Sequence, residues 1–176
     1  MTSQRGVVGA ACVLLAIPMA LLLSLLLGRA ETLLHLLLGV GFWIVAVSLF
    51  DFRTTRWVCW VGGLGLGGLG AIFLLQGASD FDPNGSLHDF AYEVLGQWPE
   101  RVLPDLFFIW CWATLFQHGR GRTRRFGIFV MTLTVAAEVL DYGMSFAGGD
   151  APGILKLLYL LPFAWLLLES RRPLVR

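Results

Sequence analysis

Glu138 and Asp141 stand three residues apart in the stretch 132–146, TLTVAAEVLDYGMSF, which is otherwise apolar and long enough to cross a membrane. In a helix that spacing, together with the four-residue step from Glu138 to Tyr142, puts all three side chains on one face. Two carboxyls and a phenol held together suit general acid/base chemistry, capture of a polar headgroup, or movement of a proton, because a close carboxyl pair titrates as a unit. With a rise of about 1.5 Å per residue, Asp141 lies roughly 8 Å and Glu138 roughly 12 Å from the Phe146 end. An ionised group at such a depth costs about 2.5–3.5 kcal/mol, so this face is expected to turn into a helix bundle and meet partners there.

The partners are sought at the same depth on other elements. Lys156, the only lysine of the chain, falls early in the last apolar run, with Tyr159 three residues on. His35 comes early in the second run and Asp105 at the mouth of the fourth. The expected site is therefore one polar layer: Glu138 and Asp141 in the chemical role, with His35, Asp105, Tyr142, Lys156 and Tyr159 binding the substrate.

The elements that would position this layer are transmembrane helices. The chain has 176 residues, 57% hydrophobic and only 14% charged, with a mean hydropathy of +0.73. That is far from the quarter-charged composition of a soluble domain. Six runs approach the roughly 20 apolar residues a span needs, near 7–28, 32–50, 57–76, 104–118, 126–146 and 152–169. The first runs past the length of a signal-peptide core and reads as a retained span. The expectation is a single-domain, all-α, six-span integral membrane protein. Arginines 5, 53, 56, 120, 122, 124, 125, 171, 172 and 176 all fall on one side, and only Arg29 and Arg101 on the other. The positive-inside rule then places both termini in the cytoplasm and the 77–103 loop outside.

That outer loop carries its own pattern. Asp82-Pro83-Asn84-Gly85 is strong turn chemistry, followed by Ser86 as a helix cap. Leu87, Phe90, Ala91, Val94, Leu95 and Trp98 then recur at helical spacing, with His88, Asp89, Glu93 and Gln97 opposite, until Pro99 ends the segment. The reading is a short amphipathic helix over 86–98, lying at the interface as a cover for the polar layer. Asp80, Asp82 and Asn84 reproduce the first half of a calcium loop, but position twelve is Ala91 rather than an acid, which leaves a plain acidic turn as the stronger reading.

Several other motifs carry less. Gly65-Leu66-Gly67-Gly68-Leu69-Gly70 satisfies the dinucleotide fingerprint in letters but sits inside a span, not between a strand and a helix N-terminus. Gly63 and Gly67, in GxxxG spacing, are expected to form a close-packing face for a neighbouring helix or a membrane-protein partner. Cys12, Cys59 and Cys111 lie in apolar runs with no metal or disulfide spacing and read as packing residues. His35, His88 and His118 offer no depth-matched pair for haem. The 120–125 arginine run beside a span is a topology determinant and an anionic-lipid contact rather than a nucleic-acid patch, so no nucleic-acid partner is expected.

Leu103-Pro104-Asp105 opening an apolar helix, Ala136-Ala137-Glu138 in the next span, and the stretch His88-Asp-Phe-Ala91-Tyr92-Glu-Val-Leu95-Gly96 together resemble the VanZ-like family of small membrane proteins. The likeness covers at most residues 86–169. The His-aromatic stretch precedes the Pro-Asp here instead of following it, and Asp141 stands where the family carries Gln. The resemblance implies a cell-envelope role near lipid-linked or surface-polysaccharide chemistry, with Asp105 and Glu138 as the residues carried over. The expected function is thus a multi-pass protein of the plasma (bacterial inner) membrane that binds or acts on a lipid-linked or amphiphilic molecule through an outward-facing polar cavity. A non-catalytic accessory subunit of a larger membrane complex and a small proton-coupled carrier are the alternatives.

Overall fold

A computed structural model describes residues 4–27, 30–52, 54–81, 84–95, 98–118, 121–146 and 158–170, and every regular element among them is helical. Helix α1 spans Gln4–Leu27, α2 Ala30–Ser48 with a 3-10 turn at Leu49–Asp51, and α3 Arg56–Ser79. The short α4, Ser86–Asp89, widens into a π-helical stretch at Phe90–Leu95. Then come α5 at Trp98–His118, α6 at Gly121–Phe146, a 3-10 turn at Leu158–Leu160 and α7 at Leu161–Ser170. Glu31–Asp51, Arg56–Ser79 and Gly121–Met144 are long and apolar enough to cross a membrane, while Gln4–Ala20, Val102–Gln117 and Leu158–Ser170 are shorter apolar helices. Residues 152–157 of the expected last span, Lys156 among them, lie outside the described residues.

Helix α3 is the centre of the bundle, between α2 and α5. Its glycines make that position attainable, though not the pair expected. A Cβ at Gly65 would stand 2.5 Å from the Leu103 carbonyl oxygen and 3.1 Å from the Phe107 backbone nitrogen, and one at Gly70 would meet Trp43 and the Gly39 carbonyl oxygen. By contrast, Gly67 has nothing within 4 Å, and Gly63 meets chiefly the edge of Phe50 at 3.3 Å. Gly63 and Gly67 therefore belong to the outward side of α3, with exposed Trp57, Trp60 and Leu64. A side chain at Gly65 would press on backbone, which cannot swing away. Gly65→Ala is accordingly expected to lower stability by about 1–3 kcal/mol and Gly67→Ala to change it little, as read by thermal unfolding in detergent.

An aromatic seam completes the core. Phe163 of α7 packs on Phe42 of α2 at 5.5 Å and on Phe107 of α5 at 5.0 Å, and Trp110 faces Trp165 at 6.4 Å. At the end of the bundle holding residues 49–55, the hydroxyls of Thr54 and Thr114 meet at 2.9 Å, Gln117 donates to Thr55 at 3.3 Å, and the Cys59 thiol donates to the Leu49 carbonyl at 3.4 Å. All three cysteines are free, with Cys59 and Cys111 buried.

The 86–98 region departs from its sequence pattern. Pro99 does not end a helix; it lies in the first turn of α5, where the N–H it lacks would have no intrahelical partner anyway. Gly85 rather than Ser86 caps α4, and no side chain makes a cap hydrogen bond. Widening to π geometry changes which residues share a face, so Leu87 and Phe90 are exposed, Ala91 is buried, and His88 and Tyr92 are half-buried against the protein.

Candidate functional site

The carboxyl site is built from two helices and a turn. Thr134 of α6, wholly buried, donates its hydroxyl to the Val130 carbonyl at 3.0 Å and lies 3.4 Å from the Leu158 carbonyl, which fixes the 158–160 turn against α6. One helical turn beyond Thr134 comes Glu138, and one residue beyond Leu158 comes Tyr159. On α5, Asp105 sits one turn before Phe108, whose ring lies 6.3 Å from that of Tyr159. The result brings the side chains of Asp105 and Asp141 close to that of Glu138. The Tyr159 hydroxyl lies near the same acids and Tyr142.

Five expected site residues, Asp105, Glu138, Asp141, Tyr142 and Tyr159, are thus gathered in one place. Glu138, Asp105, Asp141 and Tyr159 are half-buried and Tyr142 is exposed. Among the described residues, the charged groups acting on Glu138 are all acids. Its expected counter-ion, Lys156, lies outside the described residues.

His35 belongs to a different cluster. Its Nδ1 is 3.5 Å from Asp80 Oδ2 and 3.2 Å from the Tyr92 hydroxyl, while that hydroxyl donates to Asp80 Oδ1 at 2.7 Å. Since the one phenolic proton goes to Asp80, the Tyr92 oxygen accepts from His35, which places a proton on Nδ1. The His35 ring lies 5.6 Å from Phe73 and 5.9 Å from Tyr92, and His88 covers Tyr92 at 4.5 Å. Ser79, which gives its own proton to the Gln76 carbonyl, lies 3.5 Å from His88 Nδ1. The 86–95 segment therefore docks on the ends of α2 and α3, through Tyr92 on His35 and Asp80 and through His88 beside Ser79.

These contacts also settle where Asp80 points. Its carboxylate is taken by Tyr92 and His35; Asn84 is exposed in the turn, and Asp82 lies outside the described residues. Among the described residues no group of three His, Cys, Asp or Glu side chains is arranged to hold a metal ion.

The Asp80–His35 pair was not anticipated, although depth carried a signal for it. His35 is one turn into α2 from the end where α3 terminates, and Asp80 caps that terminus. Comparison with family models, with curated proteins and with solved structures returns no match.

Proposed function

We propose that this chain is a six-span protein of a plasma membrane, of bacterial inner-membrane type, with both termini cytoplasmic and the Asp105–Glu138–Asp141 site opening toward the outer face. On this reading it binds or acts on a lipid-linked or amphiphilic molecule, whose donor-rich polar head is received by the three carboxyls and by Tyr142 and Tyr159. The observation that carries the proposal is the meeting of Asp105 of α5 with Glu138 of α6. Carboxyls are costly at that depth, so two of them brought together there mark a functional site by default. Glu138, beside Asp105, is the acid/base candidate, and Asp141 holds the head. The VanZ-like resemblance supports the same two residues, Asp105 and Glu138, and rests on its motifs alone.

Native mass spectrometry of the purified chain tests this. The wild type is expected to carry an amphiphile that Glu138→Gln with Asp141→Asn reduces by at least about tenfold, since each lost charge-assisted hydrogen bond is worth about 1.5–3 kcal/mol. Equal retention by both proteins would sink the assignment. A second reading, an accessory subunit, draws on the outward side of α3, where Trp57, Trp60 and Leu64 are exposed beside open Gly67. Stable purification as a lone monomer would count against it.

A further inference from the structure

The entry to α7 is irregular where it meets the carboxyl site, and one residue accounts for it. Pro162, buried, is the second residue of α7. In a regular α-helix the Leu158 carbonyl would accept from the N–H four residues on. That residue is Pro162, which has no N–H and whose ring crowds the same carbonyl. The chain instead passes Leu158–Leu160 as a 3-10 turn, whose hydrogen bonds step three residues and so avoid the proline.

A carbonyl turned off its helix axis in an apolar bundle needs a donor from elsewhere, and in a membrane span the hydroxyls of Ser and Thr supply one. Thr134 of α6 is placed to do so. Its wholly buried hydroxyl stands 3.0 Å from the Val130 carbonyl of its own helix and 3.4 Å from the Leu158 carbonyl, so one proton is shared between two elements. The bond to Val130 would be enough to satisfy a helical threonine; the second contact ties α6 to the turn.

The residue after Leu158 is Tyr159, whose ring lies 6.3 Å from that of Phe108 on α5 and whose hydroxyl lies near Glu138, Asp141 and Asp105. On α6, Glu138 is four residues beyond Thr134 and shares its face. One hydroxyl therefore sets where the phenol stands relative to the carboxyl one turn along the same helix.

We propose that Thr134 is the positioning residue of the carboxyl site: by holding the Leu158 carbonyl that Pro162 cannot serve, it seats the Tyr159 phenol beside Glu138 to receive a ligand's polar head. The role in binding rests on the reading of that site given above, whereas the seating of the phenol does not.

The chain has three tyrosines, Tyr92, Tyr142 and Tyr159, so an isotope label on the ring carbon bearing the hydroxyl gives a simple NMR spectrum. The Tyr159 signal is identified by its loss in Tyr159→Phe. The full chain in nonionic detergent is titrated with octylamine, an amphiphile whose ammonium head carries three donors, and the wild-type Tyr159 signal is expected to shift. Thr134→Val keeps the side-chain shape and removes the hydroxyl. It should displace the Tyr159 signal before octylamine is added and raise the half-point of the titration about threefold to tenfold, the range for one neutral hydrogen bond. Thr134→Ser should restore both. Pro162→Ala supplies the missing N–H, so adding Thr134→Val to it should move the signal little further, a coupling that independent packing losses would not show. Coincident Tyr159 signals in the wild type and Thr134→Val, or a displacement by Thr134→Val as large in the Pro162→Ala background, would overturn the proposal. A wild-type signal that octylamine leaves in place, with Thr134→Val still displacing it, defeats the binding reading of the site and upholds the seating of Tyr159 by Thr134.

Discussion

Trp110→Ala is expected to destabilise the bundle by about 3–5 kcal/mol, the range for truncating a large buried aromatic, and Trp60→Ala by less than about 1 kcal/mol, in the range of substitutions away from packed features. Trp110 is 0% exposed and Trp60 is 62% exposed. The contrast follows from what each ring touches. Trp110 meets Phe52 edge-on at 5.2 Å, Phe107 at 6.0 Å and Trp165 at 6.4 Å, and its Cβ lies where a Gly62 side chain would need to be. One residue of α5 thus joins α3, α7 and the turn after α2. Lipid tails are as apolar as the core, so burial by itself contributes little to association of helices in a bilayer, and the loss comes from close packing and the cavity left behind. Trp60 touches Phe50 at 5.1 Å and otherwise faces outward. Denaturant or thermal unfolding in one detergent, followed by tryptophan-independent circular dichroism, reads both variants. Similar losses for the two would show that the α3 exterior is packed as tightly as the core, and that some unseen surface covers it.

The same residues show how far a sequence of this kind can be read. Long apolar runs locate helices because a bilayer or an apolar bundle demands intramolecular hydrogen bonding of the whole backbone: the runs near 57–76, 104–118 and 126–146 lie within α3, α5 and α6, those near 7–28 and 32–50 run one or two residues past the ends of α1 and α2, and the run near 152–169 is only partly described. The face of each helix is harder. Six of the nine residues from Gly62 to Gly70 are glycine, so a small-residue column runs down nearly every side of α3, and GxxxG spacing at Gly63 and Gly67 had no advantage over other pairs. Only the bulky neighbours Trp110, Leu103, Trp43 and Phe107, which need space, decide that Gly62, Gly65 and Gly70 point inward. The acids were legible for the opposite reason. Glu138 and Asp141 break an apolar pattern, and Asp105 opens one, so their convergence follows from depth. His35 lies at a similar depth, and depth alone could not choose between two clusters at the same end of the bundle.

Tyr92→Phe is expected to loosen the 86–95 segment while leaving the helix bundle intact. The substitution keeps the aromatic ring and its stacking with His88 and His35, and removes one oxygen that donates to Asp80 and accepts from His35. The side chains of His35 and Asp80 are only 17% and 14% exposed, so water replaces the lost partner poorly. Each buried polar group left without its partner costs about 1–3 kcal/mol. That is a large share of what holds this segment: Ala91 is its one fully buried apolar side chain among the described residues, and Leu87 and Phe90 face outward. Because α2, α3 and α5 pack through their own glycine and aromatic contacts, the loss should appear as local opening rather than global unfolding. Amide hydrogen exchange over 88–95 should accelerate about tenfold to a hundredfold, with α3 and α5 unchanged and the global midpoint shifted little. Asp80→Asn is the informative companion. The amide keeps an oxygen to accept from Tyr92 but loses the charge facing His35, so its acceleration should be smaller than that of Tyr92→Phe. If both variants exchange like the wild type, the segment is held by its backbone and by Ala91, and the Asp80–Tyr92–His35 contacts are incidental to its docking.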